Sequence, residues 1–123
     1  MPNKKSFSWS ARFRSFTYAW AGLKAVLKTE HNAHIHLVLT IAVLLAALFF
    51  KISLQESMAL VIVMAMVWTA EIFNTAIEKA MDFISKEKHP QIGLVKDLAA
   101  AAVLVTAAAA VIVGCLVFIP KLF

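Results

Sequence analysis

Three stretches of this chain are apolar for long enough to cross a bilayer, which takes about 20 residues. They run from Ala33 to Phe50, from Leu54 to Ile77 and from Ile92 to Ile119, and each predicts a transmembrane helix. Lys51 to Gln55 forms a tight turn between the first two, and the second continues past Ile77 as a polar helical extension. Ser85 to Pro90 is a charged break before the third span, with Pro90 suited to a first helical turn. Ahead of the spans, the segment from Ser6 to Thr29 sets Phe7, Phe13, Phe16, Trp20, Leu23 and Leu27 at helix-like spacings against Arg12, Arg14, Lys24 and Lys28. That pattern predicts an amphipathic helix lying on the membrane surface. The predicted fold is therefore an all-α membrane protein, one domain over residues 1–123.

The second span breaks its own apolar pattern. Glu71, Asn74, Glu78 and Asp82 fall within an arc of roughly 80° at 3.6 residues per turn. A carboxylate at mid-bilayer costs roughly 2.5 to 3.5 kcal/mol on insertion scales, so this polar face requires a functional account.

Composition agrees with the spans. Of 123 residues, 62% are hydrophobic, against about 45 to 50% in a soluble domain. Charge then orients the chain. Every Lys and Arg except Lys51 and Lys121 lies in the N-terminal segment or around the connection between spans two and three. The positive-inside rule places that end in the cytoplasm and, after three crossings, the C-terminus outside. The formal charge of +5 follows from this rule and from attraction to anionic headgroups, and nucleic-acid binding is a poor alternative. The N-terminus has no short apolar core with a small-residue cleavage site, so the mature chain is expected to start near Met1. The single cysteine, Cys115, excludes a disulfide framework and a cysteine-based metal site.

Glu30, Glu71, Glu78, Asp82, Lys96 and Asp97 all approach the cytoplasmic end. Carboxylates from different segments there make an oxygen-rich site for a hard cation such as Mg²⁺, which keeps substrate phosphates and waters in its shell. A nearby lysine offers a point charge for phosphate, and one uncoordinated carboxylate can take a proton from an alcohol. Phosphoryl transfer to a lipid hydroxyl needs all three functions in one place. Glycine occurs only at Gly22, Gly93 and Gly114, so neither a P-loop nor a glycine-rich kinase loop can be assembled.

The stretch Glu71-Ile-Phe-Asn74-Thr75-Ala-Ile-Glu78, followed by Asp82, His89-Pro90 and Lys96-Asp97-Leu-Ala-Ala, resembles the signature of the small bacterial membrane lipid kinases. That family comprises diacylglycerol kinase and undecaprenol kinase. The likeness runs from about Phe13 to the C-terminus and includes Tyr18, Trp20, Gly22 and Glu30; His89-Pro90 and the ending Phe118-Ile-Pro120-Lys121-Leu look more like the undecaprenol branch.

The resemblance implies roles position by position. Glu71 matches the general base that activates the lipid hydroxyl, and Glu30 and Glu78 match the carboxylates that hold Mg²⁺ with ATP. Asn74, Lys96 and Asp97 match nucleotide contacts, Glu87, Lys88 and His89 a loop near the nucleotide, and Tyr18 a surface-helix contact with it. Ala100, which closes the Lys96-Asp97-Leu-Ala-Ala motif, matches a lipid-substrate contact alongside Glu71. A basic residue of some relatives aligns with Ala11 here, and Arg12 or Arg14 stands nearby as its replacement. The resemblance also implies a homotrimer with shared sites in the bacterial inner membrane, ATP as donor, and undecaprenol favoured over diacylglycerol as acceptor.

Plainer readings stand beside these. Glu71 and Glu78 also suit interhelical polar contacts, and Asp82 and Lys79 suit a solvated or ion-paired helix end. His34 and His36, at i and i+2, lie on different faces and suit headgroup contact better than metal binding. Trp9, Trp20 and Trp68 suit the membrane interface and packing, and the alanine runs 99–102 and 107–110 suit close helix packing. A small proton-coupled transporter also explains an acidic membrane helix, but a carrier expects its site near the midplane, and here the polar groups gather at one side. A purely structural subunit explains neither Glu30 nor Lys96-Asp97.

Overall fold

The computed structural model describes residues 5–123 as four helices: α1 (Trp9–Thr29), α2 (His31–Phe50), α3 (Leu54–Ile84) and α4 (Pro90–Leu122). The last three are long and apolar enough to span a membrane, which makes this a multi-pass membrane protein. Local chemistry sets each boundary. Helix α1 starts at Trp9 and not at Ser6, because the Ser8 hydroxyl accepts from the Ala11 N–H at 3.4 Å and caps the first turn. Glu30 alone separates α1 from α2, with an extended backbone (φ −109°, ψ 118°) whose N–H still reaches the Val26 carbonyl. Val26 and Ala33 are buried on either side of it, so this one-residue joint is packed.

The α2–α3 turn is equally short. Lys51 adopts the left-handed conformation (φ 51°) that closes α2, and Ser53 opens α3 through a capping box. The Ser53 hydroxyl accepts from the Glu56 N–H and the Glu56 carboxylate accepts from the Ser53 N–H, both at 3.1 Å. At the other end of α3, Ser85 to His89 connect to α4, where Pro90 takes the first helical position and His89 Nδ1 accepts from the Gln91 N–H at 3.1 Å.

Helix α3 packs chiefly on α4, with α2 against its other flank. Leu60, Val63 and Val67 recur every three or four residues, and this buried stripe continues through Glu71 and Thr75. Two ion pairs mark the antiparallel register of α3 and α4: Lys121 Nζ lies 3.0 Å from Glu56 Oε2 at one end, and Lys96 Nζ lies 2.6 Å from Asp82 Oδ1 at the other. Length does the rest. The 20 residues of α2 span about 30 Å, one hydrocarbon thickness, whereas the 31 of α3 and 33 of α4 span about 46 and 50 Å. Since α2 and α3 join at Lys51–Ser53, the excess protrudes at the opposite end, where the Ser85–His89 connection and α1 lie. Apolar residues such as Leu45, Leu104 and Leu116 are left exposed on the outer faces of the spans, as a bilayer setting allows.

Candidate active site

Depth along α3 sorts the acidic face. Counting from Leu54, Glu71 lies about 26 Å along the helix, just inside the far edge of a 30 Å core, and Glu78 lies about 36 Å along, beyond it. Burial follows the same order. Glu71 is 2% exposed, Asn74 and Glu78 are half-buried, and Asp82 is open to water. The only charged side chain of the group that sits within hydrocarbon is also the most deeply packed.

Its partner comes from α2. His36 Nε2 lies 2.8 Å from Glu71 Oε1. An ionised carboxylate can only accept, so Nε2 carries the hydrogen in that state. The backbone of His36 is held in turn: the Thr40 hydroxyl donates to the His36 carbonyl at 2.7 Å, and the Trp68 indole N–H donates to Thr40 Oγ1 at 3.0 Å. Trp68 also stands edge-on to the imidazole, with ring centres 6.4 Å apart. The headgroup role expected for His36 is therefore corrected: it faces inward as the polar partner of Glu71. His34 points elsewhere, its Nε2 against the Leu27 carbonyl at the end of α1.

Below this network runs an apolar groove of about 380 Å³ between α2, α3 and α4. His36, Thr40 and Trp68 line its polar end, and residues such as Val43, Leu60 and Phe118 line the remainder. Beyond the hydrocarbon edge lies a second cavity of about 490 Å³, lined by Asp82, Glu87, Lys88, His89 and Lys96 among others. Four of the residues expected at the nucleotide thus gather in one polar cleft. Lys96 enters it tethered to Asp82, which is the ion-paired helix-end role expected of Asp82. The Ser85 hydroxyl accepts from the Glu87 N–H at 3.1 Å, which shapes the loop.

Glu71, Asn74 and the other candidates line neither cavity. Tyr18 is 71% exposed on α1, and Asp97 and Ala100 are exposed on α4. Glu30 is half-buried at the α1–α2 joint, and neither it nor Glu78 is in an ion pair among the described residues. No three His, Cys, Asp or Glu side chains converge as a metal cluster among the described residues. Two unpaired carboxylates are nonetheless the donor type that Mg²⁺ uses when substrate phosphates complete its shell. Asn74 Oδ1 and Thr75 Oγ1, in the same turns of α3, are buried without a hydrogen-bond partner among the described residues.

Residues 17–118 match the model of the family described as prokaryotic diacylglycerol kinase. The chain belongs to that family. Among relatives of this kinase, the undecaprenol kinase of Bacillus subtilis (strain 168) is 36% identical over 110 residues, 89% of each chain. A diacylglycerol kinase of Synechocystis sp. is 37% identical over 88% of the kinase and 62% of its own length. The diacylglycerol kinase of Escherichia coli (strain K12) is 31% identical over 80% of the kinase and 81% of its own length. The family match covers Glu30, Glu71, Glu78, the whole cleft and all of the groove lining except Ile119, so the groove and the cleft are features of the kinase domain itself.

Proposed function

We propose that this chain transfers the γ-phosphate of ATP to the hydroxyl of a membrane lipid alcohol, with undecaprenol as the favoured acceptor. The observation that carries the reading is the position of Glu71: a buried carboxylate just inside the hydrocarbon edge, bonded to His36 at the polar end of the apolar groove, with the polar cleft further along α3. A lipid chain in the groove brings its hydroxyl to the level of Glu71, and a nucleotide in the cleft approaches from the aqueous side. Glu71 takes the hydroxyl proton as the alcohol oxygen bonds to the γ-phosphorus, the bond to the bridging oxygen breaks, and ADP leaves. Lys96 and Lys88 offer positive charge to the phosphates, and Asn74 and Thr75 offer polar atoms beside the reacting groups.

Glu30 and Glu78 are the residues that would hold Mg²⁺. The ion, when bound, neutralises charge on the phosphate oxygens. Tyr18, Glu87, His89 and Asp97 complete the nucleotide contacts, and Ala100 a lipid contact, in the same reading. Asp97, Tyr18 and Ala100 lie outside both cavities, which supports a homotrimer in which a neighbouring subunit's cleft meets them. The single-span length of α2 and the basic residues at the protruding end support a bacterial inner-membrane setting with α1 on the cytoplasmic surface and the C-terminus outside.

Undecaprenol is favoured because the Bacillus relative, matched along 89% of both chains, is an undecaprenol kinase. The family description and the Synechocystis and Escherichia relatives favour diacylglycerol as the second reading. A transporter fits less well, since Glu71 is about 11 Å from the midplane of a 30 Å core that begins at Leu54. The test offers undecaprenol and diacylglycerol to the purified protein in mixed micelles with Mg²⁺ and ATP, separately and in competition. Preferential phosphorylation of undecaprenol is expected. Preference for diacylglycerol moves the chain to the second reading, and phosphorylation of neither by folded protein removes the kinase assignment.

A further inference from the structure

Glu71 has two oxygens, and the fold engages them differently. Oε1 receives the His36 hydrogen bond at 2.8 Å. A carboxylate that acts as a base in a lipid environment must keep its charge and aim one lone pair, and neither follows from burial alone. We propose that His36 is the positioning residue of this base: its Nε2–H holds Glu71 Oε1 and leaves Oε2 as the oxygen that takes the proton of the lipid hydroxyl. The inference rests on the reading of Glu71 as base.

Three observations support it. First, His36 is the side-chain hydrogen-bond partner that the structure gives Glu71, and α4 carries no ionisable side chain from Leu98 to Gly114 to compete for it. Second, the surroundings of the imidazole limit its movement: the Trp68 to Thr40 to His36 hydrogen-bond series joins α3 to the backbone that carries it, and the Trp68 ring bounds its edge. Third, His36, Thr40 and Trp68 line the polar end of the groove and Glu71 is bonded to that end through His36, so the residue that holds the base also bounds the place where a lipid headgroup arrives. During transfer the hydroxyl proton passes to Oε2 and the new phosphorus–oxygen bond replaces the bond to ADP. His36 keeps its own proton throughout.

The test compares His36→Gln, whose terminal amide N–H reaches the place of Nε2, with His36→Asn, whose shorter amide does not, and with His36→Leu. Each is purified in mixed micelles and assayed for kcat and for KM of ATP with undecaprenol and with diacylglycerol, beside Glu71→Gln. Supporting groups of this kind change activity by about 10- to 100-fold when removed. The Asn and Leu forms are expected to lose kcat on that scale with KM for ATP within about twofold of wild type, and the Gln form to recover most of the loss. Equal losses in the Gln and Asn forms, or wild-type kcat in the Leu form, would overturn the proposal. If Glu71→Gln is inactive while all three His36 variants turn over normally, this inference fails alone. If Glu71→Gln keeps wild-type turnover, the base reading fails and takes this inference with it.

Discussion

Replacing Glu71 separates what the residue does for the fold from what it does for the reaction. Glu71→Gln keeps the shape and keeps an oxygen for His36 to bond; Glu71→Leu removes the acceptor and leaves a buried imidazole N–H facing hydrocarbon. In water, losing a bond to a charged group costs about 1.5 to 3 kcal/mol. Within a bilayer the unfolded reference is still a set of inserted helices that find other partners, and measured polar contacts average about 0.6 kcal/mol with a maximum near 1.7. The membrane figure governs here, because Glu71 lies within the span in both states. Glu71→Gln is therefore expected to change stability by less than about 1 kcal/mol, and Glu71→Leu to cost about 1 to 2. Activity follows a different scale. Loss of a general base costs about 10²- to 10⁴-fold in rate, equivalent to about 3 to 5 kcal/mol of barrier, and both variants lose the base. Stability is measured by SDS-driven unfolding in mixed micelles and activity by lipid phosphorylation in the same preparations. A Gln form as unstable as the Leu form, or one that keeps more than about a tenth of wild-type kcat, would refute the reasoning.

Other sites give independent checks. Leu60, 4% exposed, and Leu104, 70% exposed, separate packing from transfer, because lipid tails are as apolar as leucine. Leu60→Ala is expected to lose about 1 to 3 kcal/mol in the unfolding assay through its cavity alone, with Leu104→Ala near zero; equal costs would contradict the packing assigned to α3. Glu78→Gln is expected to raise the Mg²⁺ concentration for half-maximal activity by about tenfold or more, and an unchanged Mg²⁺ titration removes it from the metal site. Lys51→Gly, at the left-handed position closing α2, is expected to raise stability by about 1 kcal/mol, since glycine adopts φ near 51° without a Cβ clash; a loss of stability counts against the turn.

The elements of this fold could be read from the chain because bilayer thickness and helix caps act locally. Apolar runs of the right length gave the spans, and the Lys51–Gln55 turn and Pro90 marked where α3 and α4 begin, the Ser53–Glu56 capping box becoming apparent only in the structure. Depth was legible too. Distance along α3 alone separates Glu71 within hydrocarbon from Asp82 in water. Pairing across helices was not, because it depends on register, and the periodicity of one helix says nothing about its neighbour. His36 appeared as a surface histidine until α2 and α3 were folded back on each other. A signal was nevertheless present: a three-residue turn at Lys51–Ser53 reflects position 71 onto the region of positions 33 to 36, where His36 is the one residue of α2 that reaches Glu71. The tether between Asp82 and Lys96 arises in the same way from the Ser85–His89 connection. Tyr18, Asp97 and Ala100 lie exposed and away from the cleft, which the helical pattern of the chain did not indicate.

The most direct test of the central claim follows the γ-phosphate itself. Purified wild-type protein in mixed micelles receives ATP labelled at the γ-phosphorus, Mg²⁺ and a lipid alcohol, and the organic and aqueous phases are then separated. The account predicts label in a lipid phosphate monoester, one for each ADP formed. Label found only as inorganic phosphate, or ADP formed at the same rate without a lipid alcohol, would contradict it.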